Sequence, residues 1–422
     1  MKTSANNLAH RAVEAAARQS YGRLVALLAA RTHDPAGAED ALADALIAAL
    51  NTWARDGIPK NPQAWLLTAA RNRLLDHVRH LEVQKRSAST LETLANDLYE
   101  APDPDALPDE RLKLLFVCAH PAIDPDMHTP LMLQTVLGLD AVAIGRAFLV
   151  SPKAMGQRLA RAKTKIRRAR IAFEIPAADQ IPQRLEAVLN AIYAAYGSSW
   201  EDAAGRDQRA VGLAEEAIWL ARVLRDAIPD EPEVRGLLAL LLHCEARRPA
   251  RRGADGRFIP LSEQDPHIWL APLIDEAERE LAVSVAHARL GRFQIEAAIQ
   301  SVHAERARTG RTDWAAIAMF YDELTRLAPS IGAAVARAAA HAEVHGAQAG
   351  FALLDQIDVH SVVCYQPYWA VRGDLLRQLN RAHEAAEAFD RAIGLTDDHA
   401  VCAFLLERRR RLSPARIPSS EP

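Results

Sequence analysis

Apolar residues recur at helical spacing along almost the whole chain, and this feature most limits what the chain can fold into. The pattern is broken mainly by proline-containing segments such as 57–62, 101–108, 228–232 and 328–330. Proline excludes continued helix, whereas apolar residues at three- and four-residue intervals are typical of amphipathic helices. Half of the 422 residues are hydrophobic but only 5% are aromatic, which favours Ala- and Leu-rich helices packed on one another. The sequence therefore predicts an all-α protein.

The breaks in periodicity predict two small helical domains followed by a large one. A chain of this length exceeds the size at which single cores usually stop growing. The first domain is predicted over residues 8–82 and the second over 108–174. Between them, residues 83–107 are rich in Ser, Thr, Asp and Pro and are interpreted as a linker. Residues 175–415 read as one helix after another, typical of stacked helical pairs.

Charge, cysteines and hydropathy exclude several classes of protein. The formal net charge of −3 predicts no general affinity for nucleic acid, so any basic surface must be local. The cysteines, at positions 118, 244, 364 and 402, are too far apart for a Cys-x-x-Cys metal or redox site. We expect no metal, no cofactor and no catalytic residue, since neither a phosphate-binding loop nor a catalytic triad is recognisable. Without a signal peptide or a long apolar segment, the protein is expected to be cytoplasmic and not membrane-bound.

A helix-turn-helix is predicted near the end of the second domain. A short helix, roughly 140–148, precedes Ser151-Pro152, which is a good N-cap and first position for another helix. No acidic residue occurs from Ser151 to Phe173, so the local field is strongly positive. The start of the second helix would meet base edges in the major groove, and its later basic residues would contact phosphates. The alternative is a solvated basic helix without a DNA-binding role.

The first domain offers an acidic helix and a basic one. The acidic helix opens near Asp34, and Trp53 lies just beyond its apolar positions. The basic helix begins at Asn61-Pro62 and carries Trp65, which we interpret as a base-stacking aromatic or, alternatively, as a core residue. In the alternative interpretation, the acidic side chains form a solvated face.

On these residues the chain resembles the extracytoplasmic-function (ECF) sigma factors of bacterial RNA polymerase. Ala38-Glu39-Asp40 is similar to their region two segment that binds core polymerase, and the helix from Trp65 to Asp76 is similar to their −10 segment. The helix-turn-helix occupies the place of their region four, which binds the −35 element. The resemblance covers residues 10–173 and implies that core RNA polymerase and promoter DNA are the partners.

The resemblance assigns three sets of site residues. The expected core-polymerase contacts are Asp34, Glu39, Asp40, Asp44, Leu46 and Trp53. The expected −10 contacts are Trp65, Arg71, Asn72, Arg73, His77 and Arg79. The expected −35 contacts are Ser151, Lys153, Ala154, Gln157, Arg158, Arg161, Lys163 and Lys165.

The segment 109–122 resembles a sigma subgroup that has a tetratricopeptide-like C-terminal extension. Trp369, Gly373, Ala385, Phe389 and Ala392 fall at the spacings of a tetratricopeptide repeat. Stacked helical pairs commonly bind a peptide or another protein, so we expect the extension to regulate the sigma half through such a partner. A purely stabilising appendage is the alternative.

Two rival interpretations remain open at this stage. The chain could be a stand-alone helix-turn-helix regulator that never joins polymerase, or a helical-repeat scaffold whose basic helix is incidental. Association with core polymerase separates the first rival from the sigma interpretation, and dependence on the basic helix separates the second.

Overall fold

The computed structural model describes residues 2–84, 109–148, 150–200 and 208–412. Within these ranges the chain is helical and has no β-strand, apart from an isolated bridge between Arg252 and Phe258. The predicted all-α class is confirmed.

The helices fall into three groups along the chain. The N-terminal helices are α1 (Lys2–Thr32), α2 (Pro35–Asp56) and α3 (Pro62–Gln84). The next group comprises α4 (Arg111–Cys118), α5 (Pro125–Thr135), α6 (Ala141–Ala147), α7 (Pro152–Ala169), α8 (Ile181–Trp200) and α9 (Gln208–Ala227). The remainder comprises α10 (Pro232–Ala246), α11 (Ala271–Ala286), α12 (Arg292–Ala304), α13 (Arg306–Thr309), α14 (Trp314–Leu327), α15 (Ile331–His345), α16 (Ala347–Leu354), α17 (Gln366–Gln378), α18 (Ala382–Gly394) and α19 (His399–Arg410).

The chain forms two compact units. The first comprises residues 1–199 and 207–223, and the second comprises 200–206 and 224–422. The two predicted small domains therefore share one unit. Of the predicted linker, 83–107, residues 83 and 84 end α3, and the rest lies outside the described part of the chain.

The first unit is built on α1, α2 and α3, which pack on one another. Leu28, Leu42 and Leu66, one from each helix, are fully buried. Burying a leucine side chain contributes about 1.5–3 kcal/mol relative to leaving it exposed. Proline opens both α2 and α3, at Pro35 and Pro62, because the first helical position needs no backbone N–H donor.

Helices α4 and α5 pack against α1, and α7 packs against α2. Gly22 of α1 makes this approach possible, since a Cβ there would lie 1.8 Å from the carbonyl oxygen of Val136. Only a residue without a side chain allows backbones to meet so closely. The sequence predicted two domains joined by a loose linker, whereas the structure brings their helices into direct contact. The reason is a glycine that local periodicity does not single out.

In the second unit, α10 is the central helix and packs against both α11 and α12. Glu233 of α10 accepts hydrogen bonds from the backbone amides of Phe293 (3.0 Å) and Gln294 (3.1 Å) at the start of α12. Glu280 of α11 accepts from Arg225 and Arg235, at 2.5 Å each. These half-buried charges fix the relative positions of the helices, because each would be costly to leave unpaired.

Helices α17 and α18 form the hairpin that the repeat spacing predicted. A Cβ on Gly373 would lie 2.9 Å from the ring of Phe389, so the glycine leaves room for that ring. Phe389, Ala385 and Ala392 are buried and Trp369 is half-buried. The helical pair is therefore present where the pattern indicated.

His303 is a buried histidine in α12 whose protonation should oppose folding. Its ring lies 5.5 Å from that of Trp314, edge to face. Burial, aided by the positive charges of Arg247 and Arg306, lowers the pKa of His303 to about 4. Because the unfolded chain has a pKa near 6.5, it binds the proton first as the pH falls, so acid favours unfolding.

We expect the free energy of unfolding to fall by about 2 kcal/mol between pH 7 and pH 5 through this residue. His303→Phe keeps a ring against Trp314 and removes the titration, so its stability should vary less with pH than that of the wild type. Urea unfolding of the full chain at both pH values measures the difference. Identical pH dependence in the two proteins would exclude the effect.

Candidate nucleic-acid and protein interfaces

Helices α6 and α7 lie where the sequence predicted the first and second helices of the helix-turn-helix. Asp140 caps α6 by accepting from the amides of Val142 (3.0 Å) and Ala143 (2.8 Å), and Ser151 caps α7 by accepting from the amide of Ala154 (3.3 Å). Gly145 of α6 sits where a Cβ would lie 2.6 Å from the carbonyl oxygen of Val150, so only glycine fits this close to the residue that precedes the Ser151 cap. This geometry positions the start of α7 as an exposed helix N-terminus.

One face of α7 packs inward and the other is exposed and basic. Met155, Leu159 and Ile166 are buried. Among the expected −35 contacts, Ala154 is half-buried, and the exposed ones are Ser151, Lys153, Gln157, Arg158, Arg161 and Lys165. Lys163 differs: it is buried and forms an ion pair with Glu39 of α2. The expected phosphate contact of Lys163 is therefore not available in this arrangement, because its ammonium group is already paired.

Removing the α6 cap tests how much the turn depends on it. Asp140→Ala leaves two backbone amides at the start of α6 without their acceptor, and we expect a loss of about 1 kcal/mol of stability. Asp140→Asn keeps an acceptor of the same shape and should cost little. Urea unfolding of the full-length variants measures both. An alanine variant as stable as the wild type would show that α6 does not rely on this cap.

Helix α2 presents an acidic stripe on its exposed side. Asp40, Asp44 and Ile47 are exposed and spaced to share one face of the helix. Leu46 is half-buried, while Trp53 is only 3% exposed. Trp53 therefore belongs to the core rather than to a contact surface in this structure.

Trp65, at the start of α3, packs edge to face on Trp53, with ring centroids 5.5 Å apart. Asn61 caps this helix by accepting from the amide of Ala64 (3.0 Å). Trp65 is half-buried, so part of its side chain packs as the alternative core interpretation expects and part of it is exposed. Such an edge-to-face pair contributes about 0.5–1.5 kcal/mol beyond the burial of its area.

The remaining expected −10 contacts differ in how exposed their side chains are. Asn72 and Arg73 are exposed, whereas Arg71 is half-buried. Burial, with the nearby positive charge of Arg31, lowers the pKa of Arg71. His77 and Arg79 lie on α3, but their side chains are outside the described residues.

Comparisons with known proteins match two segments of the chain to families and the chain as a whole to one relative. Residues 16–82, which end in α3, match the model of sigma-70 region 2. Residues 184–285 match a family of unknown function, DUF6596. The chain is 37% identical over 391 residues to the Rhizobium meliloti (strain 1021) protein titled "Uncharacterized protein R00370", covering 91% of this chain and 92% of the relative. No solved structure matches the chain.

The chain belongs to the same family as this relative, and its residues 16–82 form a sigma-70 region 2. Region 2 indicates a role of the sigma-factor kind in transcription. The exposed stripe of α2 and the start of α3 both lie within this sigma-70 region 2.

The sigma-70 region also makes contacts that sequence reasoning did not find. The Nζ atom of Lys163 donates to Oε2 of Glu39, and Nη1 of Arg167 lies 3.3 Å from Oδ2 of Asp34. The first pair joins α7 to α2 across 124 residues, and the second joins α7 to the residue that precedes α2 across 133. No local pattern indicates such partners, because ion pairs between distant segments have no fixed spacing.

A second unforeseen contact joins α4 to α9. Arg111 is ion-paired with both Asp109 and Glu216, and its guanidinium carbon lies 4.0 Å from the centroid of the Trp219 ring. The Arg111 side chain is only 9% exposed. Residues Glu216 and Trp219 belong to the segment that matches the family of unknown function. Helix α9 is therefore held directly on α4 within the first unit.

In the part of the chain that is described, no group of three or more His, Cys, Asp or Glu side chains could hold a metal ion. In that same part, no helix is long and apolar enough to cross a bilayer.

Proposed function

We propose that the chain is an ECF-type sigma factor: it binds core RNA polymerase through region 2 and directs it to specific promoters. The observation that carries the proposal is the exposed acidic stripe of Asp40 and Asp44 on α2, within a sigma-70 region 2. Exposed carboxylates beside an exposed apolar residue, Ile47, suit a protein interface with a positively charged partner. Polymerase supplies the chemistry, and the chain itself catalyses nothing.

The basic helix α7 is proposed to bind the −35 element. Lys153, Gln157 and Arg161 are exposed and lie on one face of α7. Lys153 is close to the N-terminus of the helix, which Ser151 caps. Side chains at this end of a recognition helix read base edges, and the cations further along contact phosphates. Helix α3, with exposed Asn72 and Arg73, is proposed to contact the −10 element.

The large C-terminal segment is proposed to regulate the sigma half as a tetratricopeptide-like domain. Its support is the contact of α9, which is part of this segment, with α4 through Arg111. The second unit also contains a cavity of about 710 Å³ beside the α17–α18 hairpin, with Tyr368 and Trp369 in its wall. Aromatic side chains in such a cavity suit a protein or peptide partner.

Transcription from genomic DNA tests the proposed function. Purified full chain and core polymerase are incubated with genomic fragments, and the 5′ ends of the transcripts are sequenced. The sigma assignment predicts transcripts from a defined promoter set that core alone ignores, with a shared element at −35. Binding of DNA without any such transcripts would favour a stand-alone regulator.

A further inference from the structure

A second cavity, of about 690 Å³, lies entirely within the second unit, and none of the proposed interfaces uses it. Its wall is formed by residues of the segment 257–263, the end of α17, the start of α18 and the length of α19. The volume lies in the range of small-molecule sites, about 300–1,000 Å³. The wall combines two aromatic rings, Phe258 and Phe404, with four arginines, and this combination indicates what the cavity can bind.

The two rings form an apolar part of the wall. Phe258 and Phe404 pack edge to face, with ring centroids 5.5 Å apart. Both residues are only half-buried, so part of each side chain is still accessible beside the cavity. An aromatic ring of a ligand that packed on them would remove this apolar surface from water and gain the favourable ring geometry as well.

Two of the arginines have guanidinium groups that a ligand can reach. The side chains of Arg257 and Arg411 are each 73% exposed. Arg257 lies 3.8 Å from Asp255, and Arg411 pairs with Glu407 at 3.1 Å, one turn earlier in α19. Such exposed pairs between near neighbours contribute little stability. A guanidinium has five N–H donors and a bidentate carboxylate accepts two of them, so donors remain for an anionic ligand.

Positive groups outnumber negative ones in the wall of the cavity. The four arginines are Arg257, Arg377, Arg408 and Arg411. The carboxylates in the wall are those of Glu263 and Glu407, and each pairs with an arginine of the wall. Asp374, which accepts from Arg377 and Arg408, is not part of the wall. A charged group that enters the cavity therefore meets more arginine donors than carboxylate acceptors, which favours an anion.

Ion pairs fix the segments that carry the wall. Arg408 of α19 pairs with Asp374 of α17 and lies 3.7 Å from Glu263, so it links three parts of the cavity. Arg252 pairs with Asp398, the N-cap of α19, and so holds the preceding loop against that helix. A site that is already formed binds its ligand without the entropic cost of ordering its own segments.

We propose that this cavity binds a small aromatic anion. Arg257 and Arg411 bind its carboxylate, sulfonate or phosphate group, and the rings of Phe258 and Phe404 contact its aromatic ring. The ligand would touch α17, α18 and α19 together, because all three contribute to the wall. The inference does not depend on the sigma assignment, since every residue of the cavity belongs to the second unit.

A matched pair of dyes tests the proposal on the full chain. The dye 8-anilinonaphthalene-1-sulfonate joins aromatic rings to one anionic group and becomes fluorescent on apolar protein surface. N-phenyl-1-naphthylamine has the same rings without the sulfonate. In fluorescence titrations we expect the sulfonate to saturate one site and the neutral amine to bind at least about tenfold more weakly, because it makes no charge-assisted hydrogen bonds. Equal affinities of the two dyes would overturn the proposal.

Paired arginine variants locate the binding site. Arg257→Gln with Arg411→Gln should weaken binding of the sulfonate by about tenfold or more and leave binding of the neutral amine unchanged. The matched control is Arg289→Gln with Arg326→Gln, which removes two exposed arginines of the same unit outside the cavity. The control should bind both dyes as the wild type does. Wild-type affinity for the sulfonate in the first variant would place the dye elsewhere and disprove the proposal.

The role of the rings is tested separately. Phe404→Leu keeps an apolar side chain and should weaken binding of both dyes by about threefold to tenfold, because a ring contact is lost. In the wild type, 1-naphthoate should displace the sulfonate dye at concentrations at which acetate and inorganic phosphate, which lack a ring, do not. Displacement by acetate as effective as that by 1-naphthoate, or unchanged binding in Phe404→Leu, would show that the cavity does not recognise aromatic anions.

Discussion

Replacing Lys153, Gln157 and Arg161 by alanine should abolish promoter-specific binding while leaving the fold intact. All three side chains are exposed on α7, so their removal creates no cavity. A specific base contact is worth about 1–3 kcal/mol, so the triple variant should bind promoter DNA at least about 100-fold more weakly. Loss of two cations should also reduce the slope of log affinity against log salt by about 2.

The measurement is equilibrium binding of the polymerase complex to promoter fragments at several salt concentrations. A control of matched charge removes Arg257, Gln378 and Arg326, which are two exposed cations and an exposed glutamine in the second unit. The control should bind promoter DNA as the wild type does. If the α7 variant retains full promoter binding and transcription, the basic helix is incidental and the scaffold interpretation gains support.

Reversing the charge of the α2 stripe, with Asp40→Lys and Asp44→Lys together, should weaken binding to core polymerase by about 100-fold. Like charges brought together at an interface cost several kcal/mol, and both side chains are exposed and so tolerate lysine. Fluorescence anisotropy of the labelled full chain, titrated with core polymerase, gives the change in affinity.

A control for net charge comes from Asp179→Lys with Glu186→Lys. These exposed acids also belong to the first unit but lie outside α2. Their reversal changes the net charge by the same amount and should leave affinity for core unchanged. Equal effects in the two double variants would show that overall charge, rather than the α2 stripe, governs association.

Local sequence signals predicted the helices of the candidate interfaces well. Asn61-Pro62 and Ser151-Pro152 both mark true helix starts, since the side chain of each cap accepts a backbone hydrogen bond in the structure. The pairing of Gly373 with Phe389 in the α17–α18 hairpin followed from repeat spacing. Such features could be read because caps and hairpin spacings depend only on residues close together in sequence.

Contacts between distant segments could not be predicted in this way. Lys163 carries the same charge as Lys165, yet it lies beneath Glu39, which is 124 residues away. Trp53 was expected at a protein interface, but it packs on Trp65 in the core because α2 and α3 cross there. The close approach at Gly22 likewise depends on Val136, far along the chain. Such contacts between distant segments determine which side chains of each helix remain exposed.

Binding of the intact chain to core RNA polymerase is the most direct test. With the labelled full chain titrated by core, the sigma assignment predicts a saturable complex with a Kd below about 1 μM. The complex should also initiate transcription at a promoter that core does not recognise. A chain that remains folded and binds DNA, but shows no association with core at micromolar concentrations, would contradict the assignment.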